Sequence, residues 1–136
     1  AIDEARFPRT GFSGLMLPVL EDATLARRAA AGELSLNDLL LYSAVCGVGL
    51  DTVPLPGDIA VATLAGILLD TAALAARLRK PLVARLMPLP GRGAGEATAF
   101  SFEYFAPGGV MRIAGEGVGG LLGGPGALAL AANRTR

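Results

Sequence analysis

The residues best suited to chemistry in this sequence lie in one segment, Cys46–Asp58. It contains the only cysteine of the chain, two carboxylates, three glycines and two prolines, and helical patterns flank it on both sides. A thiolate can act as a nucleophile, and carboxylates can exchange protons with a substrate. Segments rich in glycine and proline between helices are typically ordered loops shaped for a ligand. The sequence therefore predicts a rigid functional loop over Cys46–Asp58.

Within this loop, Cys46 is the candidate catalytic residue, and Gly47, Gly49, Asp51 and Asp58 are the candidate ligand-binding residues. The glycines can adopt backbone angles that other residues avoid. A structural alternative stands beside each role. Cys46 can be a small buried apolar side chain, Asp58 can cap the next helix, and Asp51 can accept hydrogen bonds from turn amides. The position of Cys46 at the end of a helix disfavours a thiolate.

Arg85 is the further candidate for ligand binding, because it interrupts the apolar run Leu82–Met87, which is predicted to be a strand. An arginine in such a strand either pairs with a carboxylate while partly buried or binds an anion at the edge of the sheet. Both interpretations stay open at this point.

Metal and nucleotide sites are not predicted. The carboxylates of Asp51, Asp58, Glu96 and Glu103 follow no ligand-dense spacing of the EF-hand type. Glycines at positions 115, 117 and 120 match the dinucleotide spacing, but the Gly-Gly-Pro that follows prevents the helix that this site requires. No cofactor is assigned.

Alternating helical and extended patterns predict an α/β protein. The predicted helices are 21–31, a second one capped by Ser35 with Asp38, and a long one running from Ile59 to Arg79 with Asp58 as its cap; the predicted strands are 11–20, 82–87 and 110–114. These strands are too few to close a sheet alone. The 136 residues are therefore either one domain or a fragment of a larger one, without an internal linker.

The amino-acid composition indicates which classes of partner the protein can bind. Hydrophobic residues make up 52% and charged residues 18% of the chain, against about 45–50% and about 25% in ordinary soluble domains, so part of the surface is expected to be covered by other protein. Lys+Arg and Asp+Glu balance at 12 each, which argues against nucleic-acid binding. The apolar run Ile59–Leu69 is shorter than the ~20 residues that span a bilayer, so no membrane contact is predicted.

The absence of histidine excludes a Ser-His or Cys-His pair and a His-ligated zinc within this chain. A single cysteine and the lack of a recognisable signal peptide predict a reducing cytoplasm.

Three blocks, Ser43–Ile59, Gly11–Asp22 and Ala84–Gly91, resemble the sequence signature of an uncharacterised prokaryotic family, the pyruvate formate-lyase-like or "PFL family" proteins. The resemblance implies the C-terminal portion of a longer chain. It also implies a fold like the glycyl-radical enzymes, an α/β barrel of two half-barrels with helices packed outside and a loop inserted into the lumen. We assign Cys46–Asp58 to that loop. The resemblance supplies an architecture and leaves the activity open.

The run Val110–Glu116 also resembles the glycyl-radical motif, with Glu116 in place of its tyrosine. A radical on Gly115 relayed to Cys46 is accordingly a remote alternative. The leading hypothesis is a cytoplasmic α/β-barrel protein that binds a small polar metabolite or anion at the loop. The main alternative is a non-catalytic regulatory or structural interaction module, whose partner is the remainder of its own chain or a second copy. Whether the protein is an enzyme stays open.

Overall fold

The computed structural model describes residues 6, 8, 15–45 and 47–114, and it shows a mixed α/β structure. In chain order the elements are α1 (Ala23–Ala30), α2 (Leu36–Val45), β1 (Gly49–Pro56), α3 (Val61–Leu78), β2 (Val83–Leu89), β3 (Ala97–Thr98) and β4 (Gly108–Gly109).

The strand β1 lies at the centre of a parallel arrangement. It pairs with β2 in parallel from Gly49 opposite Val83 to Pro56 opposite Leu89. Segment 15–18 forms two further parallel bridges to the same region of the chain, one from Leu15 to Gly47 and one from Pro18 to Asp51. Because β2 occupies one edge of β1, segment 15–18 takes the other edge. Helices connect the three segments, as parallel pairing requires.

Local hydrogen bonds explain where α1 and α2 begin. Asp22 caps α1, and its carboxylate accepts hydrogen bonds from the backbone N–H groups of Thr24 and Leu25, both at 2.8 Å. Before α2, Ser35 and Asp38 bond reciprocally: the Ser35 backbone N–H donates to the Asp38 carboxylate at 2.8 Å, and the Asp38 N–H donates to the Ser35 hydroxyl at 3.2 Å. The capping box predicted from the sequence is confirmed.

The start of α3 differs from the prediction. Asp58 lies exposed in the turn after β1, and the cap of α3 is Ala60, which makes no side-chain capping bond. The prediction that Asp58 caps this helix is therefore wrong. The helix instead begins on an extended residue, and its far end stops at Arg79, whose left-handed φ of 52° and the following Pro81 end the helical backbone.

The core is built on β1, all of whose residues from Gly49 to Leu55 are buried. Leu50, Val53 and Leu55 are fully buried and pack with α2 residues such as Leu39. A strand covered on both faces is expected at the centre of a parallel α/β layer. Burying each such side chain stabilises the fold by about 1.5–3 kcal/mol.

This strand corrects the main expectation from the sequence. Most of Cys46–Asp58 is a buried strand and not an inserted loop, and Cys46 itself lies outside the described residues. The prolines suggested a loop because proline cannot donate to a strand ladder. Here Pro54 sits beyond the bridge to segment 15–18, and its carbonyl accepts a hydrogen bond from the Met111 N–H at 2.9 Å. This bond ties β1 to the segment that follows β4.

A second correction concerns the predicted strand 110–114, which forms no strand in the structure. The strand there is β4, which pairs antiparallel with β3. The glycine pattern at 115, 117 and 120 and the motif residue Glu116 lie outside the described residues. The part of the chain that the structure describes forms two two-stranded sheets and the bridges of segment 15–18, and it does not itself close a barrel.

The helix α3 keeps much of its apolar surface uncovered. Only Ile67 and Thr71 are buried, whereas Val61, Leu68 and Leu78 are exposed and are named here the α3 apolar surface. Among the described helices, α3 is the one long and apolar enough to cross a membrane by length and composition. Core helices of soluble proteins meet the same criterion, so this property does not by itself assign a membrane.

Candidate functional site

Three charged side chains meet beside the centre of the parallel layer: Glu21, Asp51 and Arg85, named here the Arg85 cluster. The Nε atom of Arg85 donates to Asp51 Oδ1. The Nη2 atom of the same guanidinium donates to Glu21 Oε1 at 2.9 Å. Each residue comes from a different segment, so the cluster forms only when the tertiary structure does.

The strand pairing places Asp51 against Arg85. Leu50 pairs with Ala84 and Val53 pairs with Leu86, so Asp51 and Thr52 together oppose the single residue Arg85. One strand thus carries an extra residue, which is a β-bulge. Bulges redirect side chains and are common beside functional sites.

Thr52 holds the bulge in a strained backbone conformation. Its φ is 44°, in the left-handed region that β-branched residues rarely adopt. The side chain is buried, and its hydroxyl accepts a hydrogen bond from the Leu20 N–H at 3.3 Å. Such backbone strain costs about 1–3 kcal/mol and is retained where the surrounding structure enforces it, often at functional sites.

Burial is unequal across the ion pair. The Asp51 side chain is 2% exposed, whereas the Arg85 side chain is 57% exposed. The hydrogen bond to Asp51 is the main cause that raises the pKa of Arg85 above its ordinary value, and partial burial opposes it. The guanidinium is therefore charged throughout the physiological range. Among its described contacts, two of its five N–H donors are engaged, and the side chain is exposed enough for other acceptors to approach.

The predicted ligand-binding residues Gly47 and Gly49 lie near the cluster in sequence, and what the structure shows of them is close backbone packing. Gly49 has a φ of 114°, and a Cβ there would lie 2.1 Å from the Val83 carbonyl oxygen. Gly47 is packed on α2, where a Cβ would lie 3.1 Å from the Ser43 Cα. These glycines allow β1 to approach its neighbours closely. Their role in ligand binding stays a prediction.

Of the predicted site residues, the structure brings together Asp51 and Arg85. Asp58 is exposed in the turn after β1, and none of the described hydrogen bonds or ion pairs joins it to the cluster. Cys46 lies outside the described residues, so its predicted catalytic role stays a prediction. Within ranges 15–45 and 47–114, no group of three or more His, Cys, Asp or Glu side chains is placed to hold a metal ion.

Sequence reasoning missed two polar contributions. The sequence places Glu21 only at the start of the predicted helix 21–31, whereas in the structure it pairs with Arg85 across 64 positions. Ser43 is buried, and its hydroxyl donates to the Leu39 carbonyl at 2.7 Å and accepts from the Gly49 N–H at 3.1 Å. The Ser43 carbonyl in turn accepts from Lys80 Nζ at 2.7 Å. Nothing in the local sequence indicates the bonds that join Glu21 to Arg85 and Lys80 to Ser43 across 64 and 37 positions.

Comparison with known proteins now identifies the family. A family model described as "Uncharacterised ACR (DUF711)" matches residues 3–103. The chain belongs to this family. It is 46% identical over 90 residues to a UPF0210 protein of Syntrophobacter fumaroxidans, covering 66% of this chain and 20% of that protein. It is 38% identical over 107 residues to a UPF0210 protein of Oleidesulfovibrio alaskensis, covering 79% of this chain and 23% of that protein.

A UPF0210 protein of Pyrobaculum arsenaticum is 45% identical over 86 residues, covering 63% of this chain and 19% of that protein. No solved structure matches this DUF711 chain significantly. The chain spans about a fifth of the length of these curated relatives. The predicted membership of an uncharacterised prokaryotic family is confirmed. The names of the relatives state no activity and do not mention pyruvate formate-lyase.

Proposed function

We propose that the complete protein binds a small polar metabolite or anion at the Arg85 cluster. The observation that carries this proposal is the exposed guanidinium of Arg85, which the buried carboxylate of Asp51 holds in place. The proposal keeps two of the residues predicted from the sequence, Asp51 and Arg85. It moves the site from a loop to the face of a strand pair.

The fixed orientation of Arg85 favours binding. An arginine that is already held by two carboxylates loses little side-chain freedom when a ligand binds. Its planar group matches the oxygens of a carboxylate or phosphate. Asp51 and Glu21 carry two negative charges against one positive charge, so the cluster has a net charge of −1. This balance favours a metabolite with both an anionic group and a hydroxyl or amine over a simple anion.

The bulge supports the same site. The strained backbone of Thr52 destabilises the fold, and a purely structural strand would not need it, because an unstrained residue could continue the ladder. Here the bulge places two residues against Arg85, and one of them is its buried partner. The conformation thus serves the position of the ion pair.

The pyruvate formate-lyase-like barrel is the architecture that we propose around this site. Segment 15–18, β1 and β2 are adjacent in chain order, all are parallel, and helices connect them. Consecutive parallel strands without a reversal of order are typical of α/β barrels. The length of the relatives leaves room for the remaining strands. A cytoplasmic location and an oligomeric state are further parts of this proposal.

The test is ligand binding by the complete native protein, whatever its length beyond these 136 residues. Titration with a panel of small hydroxy acids, amino acids and phosphate esters, followed by calorimetry, should find a ligand whose affinity falls about tenfold or more in Arg85→Gln. Arg27→Gln, which changes an exposed arginine on α1, is the matched control and should bind normally. Equal affinity in Arg85→Gln and the native protein, for every ligand that binds, would reject this site.

A second candidate function rests on a different observation, the α3 apolar surface. Because this chain is about a fifth of its relatives' length, the occupant that we propose for this surface is the remainder of the same polypeptide. In that case the segment acts as an interaction module. Hydrogen exchange should show α3 protected in the complete protein, and Leu68→Asp should lower that protection. Unchanged protection and stability in Leu68→Asp would instead mean that the surface stays in water.

A further inference from the structure

The strand β2 pairs with β1 along one edge. Its other edge has no strand partner and no backbone hydrogen bond among the residues that the structure describes. An open edge presents backbone N–H and C=O groups that readily pair with another strand. The direction of each backbone group in β2 therefore determines what this edge can bind.

Two contacts show which residues of β2 turn their backbone toward β1. At the start of the strand, the Val83 N–H donates to the Val48 carbonyl at 2.8 Å. At its end, a Cβ on Gly57 would lie 2.3 Å from the Leu89 carbonyl oxygen, so this carbonyl faces the end of β1. The bulge adds its extra residue to β1, so the alternation along β2 is regular. Three residues therefore face the open edge: Ala84, Leu86 and Pro88.

These three residues offer an unequal ladder. Ala84 and Leu86 each present an N–H donor and a C=O acceptor to the open edge. Pro88 presents only its carbonyl, because proline has no backbone N–H. A partner strand can therefore receive hydrogen bonds from the first half of β2, and the donors of this edge stop before Pro88.

The part of β2 before Pro88 carries no feature that keeps a strand edge unpaired. Natural proteins protect open edges with lysines, prolines, bulges or a covering segment. The one charged residue of β2 is Arg85, whose guanidinium is bonded to Asp51 and Glu21. Val83 is apolar and 41% exposed. The sequence of this part is therefore that of a strand inside a sheet.

The α3 apolar surface is open on the flank of its helix. Ile67 and Thr71, four positions apart, mark the buried side of α3. Leu68 lies about 100° around the helix from Ile67, and Val61 lies seven positions earlier on the same side as Leu68. Leu68 is 49% exposed and Val61 is 80% exposed. Apolar residues on the flank are expected where a second helix packs beside the first.

One kind of element fits both the open edge and this flank. A parallel strand beyond β2 requires a crossover connection, which is usually a helix. Such crossovers are right-handed, so successive crossovers in one direction place their helices on the same face of a sheet. The unit from β1 through α3 to β2 is one crossover. The helix of the next one would lie beside α3.

We propose that the open edge of β2 pairs with a parallel strand from the rest of the same polypeptide, and that the crossover helix of this strand packs on the α3 apolar surface. The chain spans about a fifth of the length of its relatives, so a protein of that length contains ample chain for this unit. The proposal rests on the second candidate function given above. It adds the kind of element that covers α3 and the two amides of β2 that this element binds.

Amide hydrogen exchange of the complete native protein, measured at single residues, tests the pairing. The Val83 N–H is the internal standard, because it is bonded to the strand layer already described. The amides of Ala84 and Leu86 should exchange at rates within about tenfold of the Val83 rate. Exchange at the rate of an unstructured peptide, or more than about tenfold faster than Val83, would show an open edge and overturn the proposal.

The concentration dependence of the same rates identifies the source of the strand. A strand from the same polypeptide gives equal protection of Ala84 and Leu86 at about 1 μM and about 100 μM protein. Protection that increases with protein concentration would mean that a second copy supplies the partner, which contradicts the proposal.

Leu68→Asp tests whether one unit covers both surfaces. Since the strand and its helix dock together, this change on α3 should raise the exchange rate of Ala84 relative to Val83 by about tenfold. Asp70→Asn, at an exposed position of the same helix, is the control and should leave the ratio unchanged. An unchanged ratio in Leu68→Asp would reject the single unit. In the native protein, a protected α3 with unprotected Ala84 and Leu86 would refute only this proposal, whereas fast exchange at both would also refute the interaction module.

Discussion

Removing either member of the Asp51–Arg85 pair should destabilise the protein, and by unequal amounts. Arg85→Met leaves the Asp51 carboxylate buried without its cation. Breaking a buried pair in this way costs about 3–5 kcal/mol. Since the Arg85 side chain is 57% exposed and water reaches that side of the pair, we expect about 3 kcal/mol.

Asp51→Asn should cost less. The asparagine carbonyl can still accept from Arg85 Nε, and the guanidinium keeps its bond to Glu21 and its access to water. What is lost is the charge assistance of one hydrogen bond, about 1 kcal/mol. In the double variant no carboxylate remains buried and unpaired. Its total cost should therefore be about 2 kcal/mol, against about 4 kcal/mol for the sum of the single variants.

These differences in the free energy of unfolding can be measured by urea unfolding of the complete protein, monitored by circular dichroism. The comparison requires that the variants share the same dependence of the free energy of unfolding on urea concentration. Arg27→Met on α1 is the control for removing an exposed arginine and should change the free energy of unfolding by less than about 0.5 kcal/mol. A greater cost for Asp51→Asn than for Arg85→Met would refute the argument, and so would strict additivity in the double variant. Either result would mean that the carboxylate is not the member of the pair that depends on its partner.

Three further predictions concern the elements that hold the site. The hydrogen bonds from Ser35 lower the pKa of Asp38. The stability that they contribute is therefore present above the ordinary pKa of an aspartate and is lost as the pH falls through the lowered pKa of Asp38. In Ser35→Ala, an NMR titration should show a higher pKa for Asp38 than in the native protein. Gly49→Ala should cost about 3 kcal/mol or more because its Cβ would overlap the Val83 carbonyl. Gly32→Ala, also at positive φ but with open space around it, should cost only about 1 kcal/mol, so equal losses in thermal unfolding would contradict the role given to close approach. Leu50→Ala should cost about 2–5 kcal/mol in urea unfolding, and a cost below about 1 kcal/mol would argue against β1 as the centre of the core.

The sequence predicted those features that depend on neighbouring residues. The capping box of Ser35 and Asp38 involves positions three apart, and the end of the long helix before Pro81 is equally local. The strand β2 was also predicted, because an apolar run directly after a helix is a strong local pattern. For Arg85 the sequence left two alternatives open, a carboxylate partner and an anion. The structure shows the carboxylate partner, Asp51.

The misinterpretation of β1 has a physical cause. Glycine and proline disfavour strands when the local chain alone is considered, and Gly49–Pro56 contains both. The segment becomes a strand because residues more than 30 positions away pair with its backbone. The Pro54 carbonyl, for example, accepts a hydrogen bond from the Met111 N–H. The identity of the ion partners was equally hidden. Whether Asp51 or Thr52 faces Arg85 depends on a bulge that composition does not encode.

The central position of β1 also determines how this polypeptide can acquire its structure. Neither neighbour of β1 is joined to it by a hairpin, because each connection contains helices. The three parallel segments therefore cannot start to pair at a tight turn. The chain that forms α3 must fold back before β1 can pair with β2. Pairings that are so distant in the chain form slowly. During that delay both edges of the buried strand β1 lack their partners, and unpaired strand edges of this kind promote aggregation.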